Sequence, residues 1–160
     1  VMGAPGPMQQ ELRPVAAQRP FYGVYYGQAA LPLEPDTLYT MESDLLSQCR
    51  VYNYETGSYS SVYDLSKLGG KDMYEVFLSG SVSMLTIENP QATTERELIA
   101  FRDSFGSSLA PLLVQGYKTV TLVDVRYISS QMLDRFLDFH GQDVLFLYST
   151  LVLNNAFMLK

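Results

Sequence analysis

Apolar and polar positions alternate differently in the two halves of the chain. From Phe21 to Asp64 short apolar groups are cut by Pro32, Pro35 and Gly57, a texture that favours short strands and loops over long helices. Phe21 to Tyr26, Arg50 to Tyr54 and Ser60 to Tyr63 are the strand candidates there, the last two joined by a turn around Glu55 to Ser58. Asp36 to Gln48 is predicted as a short helix capped by Asp36. Farther on, Asp72 to Leu78 is predicted as a short helical segment capped by Asp72. Ser81 to Ile87 is predicted as a strand that ends at Asn89-Pro90.

The second half is more regular. Three apolar runs, Glu97 to Phe101, Lys118 to Val123 and Asp143 to Tyr148, are separated by 16 and 19 residues. Each gap holds an amphipathic stretch. Ser108 to Gln115 tolerates Pro111 if that residue falls in the first helical turn, and Gly116 supplies a stop. The second begins near Ser130, sets Met132, Leu133, Phe136 and Leu137 at helical spacing and ends at Gly141. Strand, helix, strand, helix, strand predicts an α/β fold with a parallel sheet and helical crossovers, beside a tyrosine-rich β and loop region.

That topology has a chemical consequence. Parallel strands put their carboxyl ends on one rim, where open α/β sheets hold their ligands. Asp103 and Ser104, then Asp124 and Arg126, then Tyr148, Ser149 and Thr150 stand just past those ends. Arg102-Asp103-Ser104-Phe105-Gly106 reads as a strand-to-helix passage that can present a serine hydroxyl beside helix amides able to stabilise an oxyanion. The competing reading of Ser104 is a helix cap. Arg126 is open between ligand binding and pairing with Asp124 or Asp103, and Tyr148 between the rim and the core. The tyrosines of the first half fit either a half-buried sheet with wet hydroxyl ends or a sugar-binding aromatic surface.

Composition narrows the classes. The chain has 160 residues, enough to bury roughly 70% of its unfolded surface in one domain. Residues 1–18 read as a linker or an appended remnant and 19–160 as the domain. The net charge of −6 disfavours a nucleic-acid partner. No apolar run approaches the roughly 20 residues that span a bilayer, so a soluble chain with no membrane span is expected. Cys49 is the single cysteine, so no intrachain disulfide can form. One Cys, one His and no clustered carboxylates offer no metal-ligand set, no glycine loop cradles a phosphate, and no cofactor is expected.

The motifs Arg102 to Gly106 with Leu109-Ala110-Pro111-Leu112-Leu113, then Val123 to Tyr127, then Asp143 to Thr150, resemble the C-terminal run of the bacterial DHHW-motif proteins. Phe21 to Gly27 and Asp72 to Leu78 resemble the segments that follow the motif naming that family, and the resemblance spans about residues 19–155. The Asp-His-His-Trp segment itself is missing. The family is similar to the SGNH-hydrolase-like acetyltransferases of bacterial exopolysaccharides, which implies an SGNH-like fold and an extracytoplasmic or cell-surface setting. It also implies an esterase or O-acetyltransferase chemistry on a carbohydrate or other acyl ester.

By that resemblance Ser104 matches the catalytic nucleophile, and Arg126 and Tyr148 match the arginine and tyrosine that follow it. Asp103 is a further substrate-facing candidate on the same rim. Two departures stand out: Arg102 replaces a frequent glycine, and no Asp-x-His pair precedes Ser104, the one Asp-x-His of the sequence being Asp138-Phe139-His140, which follows it. A serine hydroxyl needs a base to take its proton. His140, the only histidine, precedes the last strand and is expected at the opposite rim, next to a helix end. The implied whole is therefore an acyl-transfer enzyme whose Asp-x-His comes from a missing N-terminal segment or a partner subunit, this chain alone being inactive. The alternative is a non-catalytic carbohydrate- or protein-binding module.

Overall fold

A computed structural model describes residues 11–23, Tyr26 and 32–159. Among these residues eight strands form two sheets. β1 (Arg13–Ala16) and β2 (Tyr39–Glu42) pair antiparallel as a small ribbon. The other six, β3 (Arg50–Asn53), β4 (Ser58–Ser60), β5 (Met84–Glu88), β6 (Glu97–Arg102), β7 (Thr119–Val123) and β8 (Asp143–Leu147), lie in the order β4-β3-β5-β7-β6-β8. The three predicted apolar runs are β6, β7 and β8. β6 pairs parallel with both β7 and β8.

The sheet is mixed rather than parallel throughout. β5 runs antiparallel to both β3 and β7, and β3 and β4 form a hairpin. Asn53 builds its turn: Oδ1 accepts from the amides of Glu55 (2.8 Å) and Thr56 (3.3 Å), and Gly57 takes a φ of 64° that a side chain would disfavour. Tyr63, expected in that second strand, lies beyond it in an isolated bridge with Phe77.

The helix expected over Asp36 to Gln48 is a strand followed by a single helical turn. β2 finds its partner in β1, within the stretch read as linker, and Ser43 rather than Asp36 caps α1 (Asp44–Gln48), its side chain accepting from the Leu46 amide. Of the strand expected over Phe21 to Tyr26, Phe21 makes one bridge to Asp36, and Val24 and Tyr25 lie outside the described residues. Asp72 does cap a short turn, the 3-10 segment Met73–Val76.

Two packed clusters flank the six-stranded sheet. On one face Val51, Ile87, Leu98, Val120 and Leu122 meet Leu45, Ala110 and Val114 from the helices. On the other, Met84, Ile99, Phe101 and Val123 meet Val125 and Leu133 from the crossover between β7 and β8. The first crossover is α2 (Gly106–Leu113), which starts two residues earlier than expected, so Pro111 falls in its second turn and removes an intrahelical hydrogen bond. The second is not an α-helix: Ser130–Arg135 is 3-10, and only Leu133 of that segment is buried. Among the described residues no helix is long and apolar enough to cross a membrane.

Cys49 closes α1, 3% exposed in the first cluster. Burial pushes its thiol pKa from 9.0 up to about 11. The folded state thus holds this proton to higher pH than the unfolded state. The resulting stabilisation is complete below about pH 9 and is lost as pH rises towards 11. Urea titrations between pH 8 and 11 should show stability falling across that window, with a shallower fall in Cys49→Ala. Equal slopes in the two proteins would contradict this assignment.

Candidate functional site

The parallel trio sets the geometry of the candidate site. Phe101 is level with Val123, and Arg102 with Leu147, so the carboxyl ends of β7, β6 and β8 finish side by side. Neighbouring strands lie about 4.8 Å apart. The loops carrying Arg126, Ser104 and Tyr148 therefore leave one rim from three adjacent strands.

Asp124 is the hub of this rim. It is wholly buried, and its carboxylate accepts from Arg126 Nε at 2.8 Å, from Arg126 Nη2 at 2.6 Å and from the Arg126 amide at 3.1 Å. The bidentate fork leaves Arg126 16% exposed and lifts its pKa, chiefly through those hydrogen bonds. Arg102 approaches the same carboxylate from below, with Nη1 3.6 Å from Asp124 Oδ2. Its guanidinium is 1% exposed, donates to the Asp103 carbonyl at 3.4 Å and has an Nε without a hydrogen-bond partner among the described residues. Burial pulls the Arg102 pKa down, with Asp124 opposing. The arginine that departs from the expected glycine is thus part of the buried floor of the site.

Gly106 answers that arginine. A Cβ at this position would lie 2.7 Å from Arg102 Cβ and 3.1 Å from its Cγ, atoms close to the backbone of a central strand that cannot swing aside. Gly106→Ala should destabilise the protein by about 1–3 kcal/mol. Urea unfolding measures this, and a stability equal to the parent's would show that the Arg102 to Gly106 passage is looser than described.

Asp103 is placed differently from the expectation. It is 1% exposed, its Oδ1 accepts from the Phe105 amide at 3.0 Å and its Oδ2 from the Ser149 amide at 2.6 Å. The carboxylate faces inward because it ties the turn after β6 to the turn after β8, and it does not line an open cleft. The helix amides expected to be available are also engaged: Phe105 with Asp103 Oδ1, Gly106 with the Asp103 carbonyl (3.0 Å) and Ser107 with the Ser104 carbonyl (3.1 Å). Of the amides from Ser104 to Ser107, the one without a partner among the described residues is that of Ser104.

Ser104 itself is half-buried at the tip of the turn, and its hydroxyl has no hydrogen-bond partner among the described residues. Tyr74, which sequence reasoning did not single out, braces this turn by donating to Ser108 Oγ at 2.9 Å and lying 3.3 Å from the Phe105 carbonyl. Tyr148 is half-buried. Its pKa is raised first by burial and then by the charges of Asp124 and Asp103, with Arg126 and Arg102 opposing, so its hydroxyl lies in the field of the same four groups.

His140 lies at the far rim. Its Nδ1 is 2.9 Å from the Asp138 carbonyl and its Nε2 3.7 Å from Glu97, the first residue of β6. At about 3.3 Å per strand residue, the length of β6 puts it some 15 Å or more from Ser104. Two clefts, of about 890 Å3 beside β2 and α1 and about 470 Å3 beside Arg19 and Met73, are lined by none of Ser104, Arg126 and Tyr148. The described residues contain no group of three or more His, Cys, Asp or Glu side chains able to hold a metal.

A family model described as "DHHW protein" matches residues 16–123. The chain belongs to the DHHW family. Solved structures agree on the fold. A DHHW family protein from Eubacterium siraeum DSM 15702 is 19% identical, with a TM-score of 0.64, over 88% of this chain and 48% of its own. Bacillus cereus PatB1 is 18% identical, with a TM-score of 0.64, over 89% of this chain and 50% of its own. PatB1 with a sulfonyl adduct gives 17% and 0.61, over 89% and 48%. This DHHW chain therefore spans about half the length of the solved structures it matches. No curated protein matches its sequence.

Proposed function

We propose that this DHHW chain is the serine-bearing part of an acyl-transfer enzyme related to the SGNH hydrolases, which moves or removes an acyl group on a cell-envelope carbohydrate. The observation that carries the reading is the convergence of Ser104, Arg126 and Tyr148 on one rim over a buried Arg102–Asp124–Arg126 network. A neutral core residue would do for stability alone, whereas an arginine fixed by a bidentate carboxylate is oriented for use. The sulfonyl adduct on PatB1 fits a fold that exposes a nucleophile.

In the complete enzyme Ser104 Oγ attacks the acyl carbonyl and its proton passes to a histidine of an Asp-x-His pair. The carbonyl oxygen takes the negative charge and is met by the Ser104 amide, with Arg126 close by. Collapse expels the donor's oxygen, which takes the proton back, and leaves an acyl-serine ester. A carbohydrate hydroxyl or water then repeats the steps in reverse and receives the acyl group. Tyr148 orients the incoming hydroxyl.

The base is the piece this chain does not bring to Ser104. Purified chain should hydrolyse p-nitrophenyl acetate no faster than buffer containing its Ser104→Ala variant. Turnover by the chain alone that vanishes in Ser104→Ala would overturn the assignment of the base to another segment.

A further inference from the structure

The two outer strands of the main sheet differ in kind. β4, at one edge, is three residues long and reads Ser58-Tyr59-Ser60, a short polar edge that discourages pairing. β8, at the other, is Asp143-Val144-Leu145-Phe146-Leu147, with no proline, lysine or bulge to blunt it. Among the described residues it pairs only with β6. The Leu147 carbonyl accepts the Asp103 amide, so by strand alternation the peptide groups of Val144 and Phe146 point to the open side.

The surface beside that edge is apolar. Phe146 is stacked on Phe101 with ring centroids 5.0 Å apart, yet it is 69% exposed. Leu151 and Leu153 of α3 (Thr150–Asn154), together with Phe157, are exposed next to it in sequence. Of the 17 exposed large hydrophobic residues among those described, nine fall between Met132 and Met158. A monomer rarely leaves such a concentration in water beside an unpaired strand.

We propose that the open edge of β8 and the Phe146 face receive a β-strand from the part of the full-length protein outside this chain, which extends the sheet by at least one strand. The occupant follows from length: the structural relatives use 88–89% of this chain but are about twice as long, so half of their own length has no counterpart here. This surface deepens the proposed function and rests on it in one respect. A strand beside β8 is two strand spacings, about 10 Å, from β6, close enough for its loop to deliver a histidine to Ser104 past Tyr148.

The test separates docking from catalysis. Amide hydrogen exchange is followed residue by residue in this chain alone and after addition of the polypeptide encoded immediately upstream in its gene. Alone, Val144 and Phe146 should exchange fast and Leu145 and Leu147 slowly. With the added polypeptide, Val144 and Phe146 should slow about 100-fold.

Val144→Pro removes an outward amide but no bond to β6, so the isolated chain should keep its melting temperature and bind the added polypeptide about tenfold more weakly. Protection of Val144 and Phe146 supports the docking surface whether or not ester hydrolysis follows. Ser104-dependent hydrolysis with both amides still fast would overturn it while leaving the function standing. Failure to bind, a gene with no such polypeptide, or protection produced by self-association of this chain would each overturn it as well.

Discussion

Asp124→Ala should be the most damaging single substitution in this chain, at about 3–5 kcal/mol, because it strips the shared carboxylate from two arginines at once. Arg126 can turn toward water, being 16% exposed. Arg102 cannot: its guanidinium is 1% exposed, lies under α2 and already carries an unpaired Nε. The melting temperature should drop by roughly 10 °C. The double variant Asp124→Ala with Arg102→Met should recover much of the loss, since it removes the uncompensated buried charge. Thermal and urea unfolding of the three proteins decide the matter. A single variant within about 0.5 kcal/mol of the parent would mean that the network is hydrated and not a buried floor.

The second large effect concerns rate. If an upstream segment supplies the Asp-x-His pair, adding it in trans should raise ester hydrolysis by about 10²- to 10⁴-fold, the usual worth of a positioned general base. A His-to-Ala change in the added segment or Ser104→Ala in this chain should each remove the gain, and removing both should cost little more. Arg126→Lys should lose most of the rate without unfolding the protein, because an ammonium cannot hold the two-point grip on Asp124 that aims the guanidinium. Well-folded pieces that associate without any Ser104-dependent activity would favour a binding module instead.

How far the sequence reaches into this structure depends on where each interaction partner sits. Runs with their own periodicity and turns were legible: β6, β7 and β8 lie within or close to the apolar runs, and their parallel pairing placed Ser104, Arg126 and Tyr148 on one rim and His140 on the other. Pairings that depend on distant segments were not. β5 enters between β3 and β7, and β2 becomes a strand because β1 lies beside it, neither of which leaves a local trace. The stretch after Ser130 has helical spacing, yet Met132 and Phe136 stay exposed, so no buried face reinforces an α-helix there.

The site shows the same division. Asp103 stood in the right place in the chain, but its inward turn is set by the Ser149 amide, 46 residues away. Tyr74 could not be singled out because its partners, Phe105 and Ser108, are 31 and 34 residues on. Gly106 was visible only as a turn glycine. Its close approach to Arg102 is what makes the residue necessary.

The measurement that bears most directly on Ser104 as an acyl-transfer nucleophile is fluorophosphonate labelling of the full-length protein, followed by peptide mapping. The reagent reacts with serines that a base has activated and ignores ordinary ones. A single phosphonylated residue at Ser104 is expected, lost in Ser104→Ala and absent when this chain is treated alone. No labelling in the full-length protein, or labelling at a serine remote from the rim of β6, β7 and β8, would contradict the account.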